Sequence, residues 1–167
     1  MGMLSFIKDA GQKLFGIGEA KAAQAAVADA PTPENIKAMS DAAGDSIVTY
    51  INEMGLSVTG LTVTFDALSG EATVYGIAAD QETKEKVLLC CGNVAGVGQV
   101  NDEMSVDQSG GESQYYTVES GDNLSKISKE FYDTPNKYMA IFEANQPMLS
   151  HPDKIYPGQL LRIPADA

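Results

Sequence analysis

The chain has 167 residues, 44% of them hydrophobic, with two Cys, one His and no Trp; this suits one domain or two small ones, and two Cys make no disulfide framework. Acidic residues outnumber basic ones 23 to 11, a net charge of −12, which has the wrong sign for gripping nucleic-acid phosphates or anionic lipid heads. The excess is greatest over residues 51–108, with two Lys against nine acids, a solvated face that also raises the local concentration of cations.

The opening stretch, MGMLSFIKDAGQKLFG, has no basic leader, and Lys8 and Asp9 cut its apolar run below the length of a signal peptide or a membrane span. A cytoplasmic chain with no stable membrane insertion is therefore expected. Gly2 fails as a myristoylation acceptor because Phe6 stands where Ser or Thr is needed. Met3, Ile7, Ala10 and Leu14 recur at helical spacing, widened by Leu4, Phe6 and Phe15 and ended by Gly16 and Gly18, which predicts an N-terminal amphipathic helix within residues 1–18. Residues 19–35 are Ala-rich, with high helix propensity and little to bury; they read as a frayed helix or a tether.

In PTPEN, Thr32 is a helix cap and Pro33 the first helical residue. The apolar face of Ile36, Met39, Ala43, Ile47, Tyr50, Ile51 and Met54 then runs to Gly55. The period next changes: Leu61, Val63 and Phe65 alternate with Thr62 and Thr64, Ser69-Gly70 turns the chain, and Ala72, Val74 and Gly76 alternate again, an antiparallel hairpin. Asp80 caps a helix running to about Cys91, and a last strand holds Val100 and Met104. Residues 36–106 thus read as helix, strand, strand, helix, strand. The polar, Gly/Ser-rich DQSGGESQ, residues 107–114, is a linker. A second unit over 115–165 reads as strand, helix, helix, strand. The fold class is α+β in two small domains.

The adjacent Cys90 and Cys91 point about 100° apart on a helix, and His151, the only histidine, lies far away in sequence. They are expected to be buried packing residues rather than a thiol metal or redox site. The following CGNVAGV is more informative. A helix ending near Gly92 leaves carbonyls without intrahelical donors at the negative end of its dipole, and neutral oxygens suit a large monovalent cation. An ordinary helix C-cap and strand entry has the same glycines, and the residues alone leave both readings open.

Residues 115–164 resemble a LysM domain through Tyr116-Thr-Val, Ser120-Gly-Asp-Asn-Leu, Ile127, Ile141, Ala144-Asn145, Ile155-Tyr-Pro-Gly-Gln-Leu and Ile163-Pro164. The sequence departs from that pattern at Asn123, where Thr is usual, and in a longer Met148–Lys154 loop. The preceding unit resembles a BON domain, with GEATVYG as its glycine-ended strand and VAGVGQV as its helix-to-strand passage. That pairing, preceded by FIKDAGQKLFG, resembles the bacterial cytoplasmic potassium-binding protein family, with residues 19–35 as an insertion or longer tether. The resemblance implies a K+ ion caged by main-chain oxygens. Carried onto the matching residues, these are the carbonyls of Gly92, Val94 and Val97 with those of Ile7, Ala10 and Gln12 from the N-terminal segment. Such a monomeric sensor or buffer compacts on binding K+, and its LysM domain is left to meet a protein or glycan partner.

The rival reading is binding of N-acetylglucosamine chains, which the LysM resemblance places around Gly121, Asp122, Asn123, Leu124, Met148, Ile155 and Tyr156. Lipid association, suggested by some BON proteins, is opposed by the acidic middle third. No nucleophile–base pair can be assembled: Ser120 and Asp122 read as turn and cap residues and His151 as a solvated loop residue, so no enzyme is expected.

Overall fold

The computed structural model describes residues 2–5, 19–94 and 96–165, with side chains from Gln24 onward. Its strands are β1 (Gly2–Ser5), β2 (Val58–Asp66), β3 (Glu71–Asp80), β4 (Gln99–Gln108), β5 (Gln114–Thr117) and β6 (Leu160–Ile163). Its helices are α1 (Glu19–Asp29), α2 (Pro33–Glu53), α3 (Gln81–Gly92), α4 (Leu124–Tyr132) and α5 (Tyr138–Ala144). The α+β class holds.

β1 corrects the expected start of the N-terminal helix. Gly2–Ser5 pairs antiparallel with β4, Met3 opposite Asn101 and Leu4 opposite Val100. The free edge of β4 offers backbone partners to an extended segment, and this tertiary pairing overrides the helical spacing of Met3 with the residues that follow. The rest of the expected helix, including Ile7, Ala10 and Gln12, lies outside the described residues. Residues 19–29 are helical as α1, which reaches the core through Val27. The Asn35 side chain joins α1 to α2 by donating to the carbonyls of Ala26 and Ala30.

The caps form as the residue types dictate. The Thr32 hydroxyl accepts the Asn35 N–H with Pro33 in the first helical turn, and Asp80 Oδ1 accepts the Thr83 N–H at 2.7 Å. The larger sheet has the order β1-β4-β3-β2. β2 and β3 are the antiparallel hairpin, Val63 facing Val74 and Phe65 facing Ala72, and α3 is the crossover that lets β4 return parallel to β3. Ile47 and Ile51 of α2 and Val87 and Leu88 of α3 bury against Val63, Phe65, Val74 and Val100. The opposite sheet face presents Thr62, Thr64, Tyr75, Ile77, Glu103 and Ser105.

In the second unit β5 and β6 pair antiparallel beside α4, a single 3-10 turn at Pro135–Lys137, and α5. Val118, Leu124, Ile127, Ile141, Leu149, Leu161 and Ile163 form its core. β6 is buried along its whole length, and the strand alternation explains why. Leu161 and Ile163 face this small core, whereas Leu160, together with Met148, belongs to the large one. No helix among the described residues is long and apolar enough to cross a membrane.

Candidate functional site

α3 is a hydrophobic post whose residues Val87 to Gly92 are all buried. Its last turn carries no basic side chain, so nothing on the helix itself offsets the negative end of its dipole. Asn93 ends the helix, its N–H donating to the Leu89 carbonyl at 3.1 Å, and the Val94 N–H donates to the Cys91 carbonyl at 3.1 Å. The chain then folds back so that the Val97 N–H meets the Val94 carbonyl at 3.1 Å. Gly96, at φ +98°, supplies a conformation that L side chains rarely adopt.

The predicted ion ligands are all buried at this helix end, Gly92 as the last residue of α3 and Val94 and Val97 in the loop after it. The Val94 carbonyl accepts the Val97 N–H and keeps a second lone pair for another partner. Ile7, Ala10 and Gln12, the other half of the expected cage, lie outside the described residues. Among the described residues no cluster of three His, Cys, Asp or Glu could hold a metal. Cys90 and Cys91 are not joined in a disulfide and have no exposed surface; burial first, and then the neighbouring Cys91, push the Cys90 thiol upward, with Tyr50 opposing.

Sequence reasoning did not connect two parts of this neighbourhood to the loop. The β2–β3 turn backs the loop, Gly98 N–H donating to the Gly70 carbonyl at 2.9 Å. Gly70 has φ +75°, and a Cβ there would stand 3.0 Å from the Gly96 carbonyl oxygen and 2.7 Å from the Gln24 side chain. The other part is Asn93, which stands between two of the expected ligands. Its Nδ2 donates to Leu89 O at 3.2 Å and to Leu160 O at 2.9 Å, and its Oδ1 accepts the Leu160 N–H at 2.9 Å. An Asn beside the glycine of a helix end is the one clue the sequence offers.

The same interface holds a buried ion pair. Arg162 Nε donates to Glu85 Oε2 at 2.6 Å, with the two residues 7% and 3% exposed. Gln81 Nε2 and the Ser113 N–H both donate to Glu85 Oε1. Burial pushes the Glu85 carboxyl upward, but the hydrogen bonds from Gln81, Ser113 and Arg162 outweigh it and hold the group below the usual glutamate range.

The residues expected around a glycan are dispersed. A surface cavity of about 580 Å³ is lined by Asn123, Leu124, Ser125, Tyr138, His151, Pro152 and Asp153. Asn123 and Leu124 are shared with the expected set. Asn123 also caps α4, accepting the Lys126 N–H at 2.8 Å, and Asp122 Oδ2 accepts the Tyr116 hydroxyl at 2.6 Å. Met148 is buried in the large core, Gly121 is exposed, and Ile155 and Tyr156 are half-buried outside that lining. His151 is in the lining, its Nδ1 accepting the Asp153 N–H at 3.1 Å.

A strand–helix–helix–strand unit with a surface cavity is joined here to a sheet whose crossover helix ends in a buried, glycine-turned loop. Residues 116–164 match the LysM domain family, so the chain is a LysM-containing protein. Over 166 residues, 99% of this chain and 100% of the relative, it is 42% identical to the potassium binding protein Kbp of Escherichia coli O6:H1, and it belongs to that family. An uncharacterized protein of Deinococcus radiodurans is 49% identical over 49 residues, 29% of this chain and 19% of its own length.

Proposed function

We propose that the chain is a cytoplasmic, non-enzymatic potassium-binding protein, a sensor or buffer, built from a BON-like domain over 36–106 and a LysM domain over 115–165. The observation that carries the reading is the C-terminus of α3: a buried helix end with no basic residue in its last turn, continued by a loop of neutral backbone oxygens. A large, weakly hydrated monovalent cation is met by such oxygens, whereas a calcium site recruits carboxylates. The name of the full-length relative supports the same ion. The carbonyls of Gly92, Val94 and Val97 supply one side of the cage and those of Ile7, Ala10 and Gln12 the other. Because the two sides come from distant parts of the chain, binding draws the N-terminal segment in and compacts the protein. Ion binding then stabilises the folded form by RT ln(1 + [L]/Kd), about 2.7 kcal/mol at a hundredfold excess over Kd.

Isothermal titration of potassium-free protein with KCl, against NaCl at matched ionic strength, tests this. Saturable heat with K+ alone is expected, and no heat with either salt refutes the reading. A second reading, N-acetylglucosamine binding by the LysM domain, is favoured by the groove under Tyr138 and His151. Titration with a chitin oligosaccharide that shifts the Tyr138 and Asn123 resonances would establish it.

A further inference from the structure

We infer that Asn93 is a positioning residue that ties the backbone of the α3–β4 loop to the LysM domain, so that the loop and strand β6 move as one. The geometry begins at β6. One of its edges pairs with β5, and the other edge turns the N–H and C=O of Leu160 and of Arg162 away from that strand. Among the described residues no third strand takes them, and two asparagine amides do. Asn145, the residue that ends α5, donates through Nδ2 to Ile141 O and to Arg162 O at 2.6 and 2.8 Å, and its Oδ1 accepts the Arg162 N–H at 2.7 Å. Asn93 repeats this pattern two residues away on β6, bonding the carbonyl four residues back in its own helix and bracketing Leu160 from both sides. The difference lies in ownership: Asn145 belongs to the LysM domain, whereas Asn93 comes from the end of α3.

Both amide hydrogens and the oxygen of Asn93 are engaged, and the residue is 1% exposed. Water has no access to substitute for a lost partner, and a buried polar group left unpaired is costly. A rotation of the peptides on either side of Asn93, which would re-aim the carbonyls of Gly92 or Val94, must therefore carry Leu160 with it or break bonds that nothing replaces. Leu160 has its side chain in the large core while Leu161 is in the small one, so displacement of Leu160 reorients the LysM domain. The inference rests on the potassium reading for what moves the loop, and the coupling is reciprocal: fixing β6 must favour the loop geometry that binds the ion.

The test is a KCl titration of the full chain followed by ¹H–¹⁵N NMR, with Val94 and Val97 amides reporting the loop and Leu160 and Arg162 amides reporting β6. In the wild type all four are expected to shift along one binding curve, and Leu160 hydrogen exchange to slow by a factor of on the order of ten at saturation. In Asn93→Ala the loop amides are expected to shift still, at weaker affinity, while Leu160 and Arg162 stop responding. Loop shifts without Leu160 shifts in the wild type overturn the coupling and leave the ion site standing, whatever the variant's stability. An unchanged Leu160 response in folded Asn93→Ala overturns it as well. If no amide of the wild type responds to K+, the ion reading falls and the coupling with it.

Discussion

Arg162 of β6 donates through Nε to Glu85 of α3 at 2.6 Å, in a contact from which water is nearly excluded. Glu85 also takes the Ser113 N–H from the segment that joins the two sheets, and its own backbone carbonyl accepts the Tyr115 hydroxyl at 3.4 Å. One glutamate therefore gathers the connecting segment, the first LysM strand and the last one.

Removing one member of such a pair leaves a buried charge unmatched, which costs about 3–5 kcal/mol. Arg162→Met is expected to destabilise by that order, whereas the double replacement Arg162→Met with Glu85→Leu recovers most of the loss. Urea unfolding monitored by tyrosine fluorescence and circular dichroism measures both. Equal losses in the single and double variants would show that packing, not charge, dominates the contact.

The acid limb of stability follows from the same residue. Because the folded-state pKa of Glu85 is held below the ordinary glutamate value of 4.5, its contribution is fully present above that value and is lost as pH falls through the lower folded-state one. Asp80 behaves likewise, lowered first by the Thr83 N–H, and Asp66 by the Leu68 N–H. Urea midpoints taken from about pH 7 down to about pH 3 should fall for the wild type and fall less steeply for Glu85→Gln. Parallel curves would show that Glu85 keeps its proton affinity on folding.

Cys90 and Cys91 have no exposed surface and Cys90 resists ionisation, and the thiolate is the reactive form. A maleimide or aromatic disulfide is expected to label neither cysteine in the native protein and both in denaturant. Fast native labelling of either would show an opening of α3 that the packing does not contain.

Gly70→Ala places a Cβ at φ +75° against the Gly96 carbonyl. Gln24 can swing aside as a flexible side chain, but the loop backbone cannot without opening the Gly98–Gly70 hydrogen bond. The strain is expected to cost about 1–2 kcal/mol and, if the loop holds K+, to weaken that binding while Gly121→Ala, where a Cβ meets open space, leaves it unchanged. Calorimetry on both variants separates loop geometry from general destabilisation.

Local chemistry made much of this protein legible in its sequence. Thr32-Pro33 and Asp80 place two helix starts because a side-chain oxygen satisfies amides that no helix can satisfy for itself, and the alternation of Val63, Phe65, Ala72 and Val74 places a hairpin because only one sheet face is buried. The acidic balance, the LysM pattern and the glycines after Cys91 are likewise properties of the residues alone. Tertiary structure decided the rest. Gly2–Ser5 is a strand because β4 offers it an edge, and Met148 is withdrawn from the surface because two cores meet beside it. Gly70 comes to the loop from more than twenty residues away, and Asn93 reaches Leu160 across 67 residues. Hydrogen bonds of that span depend on how whole elements pack, and no periodicity or propensity within a short window encodes them.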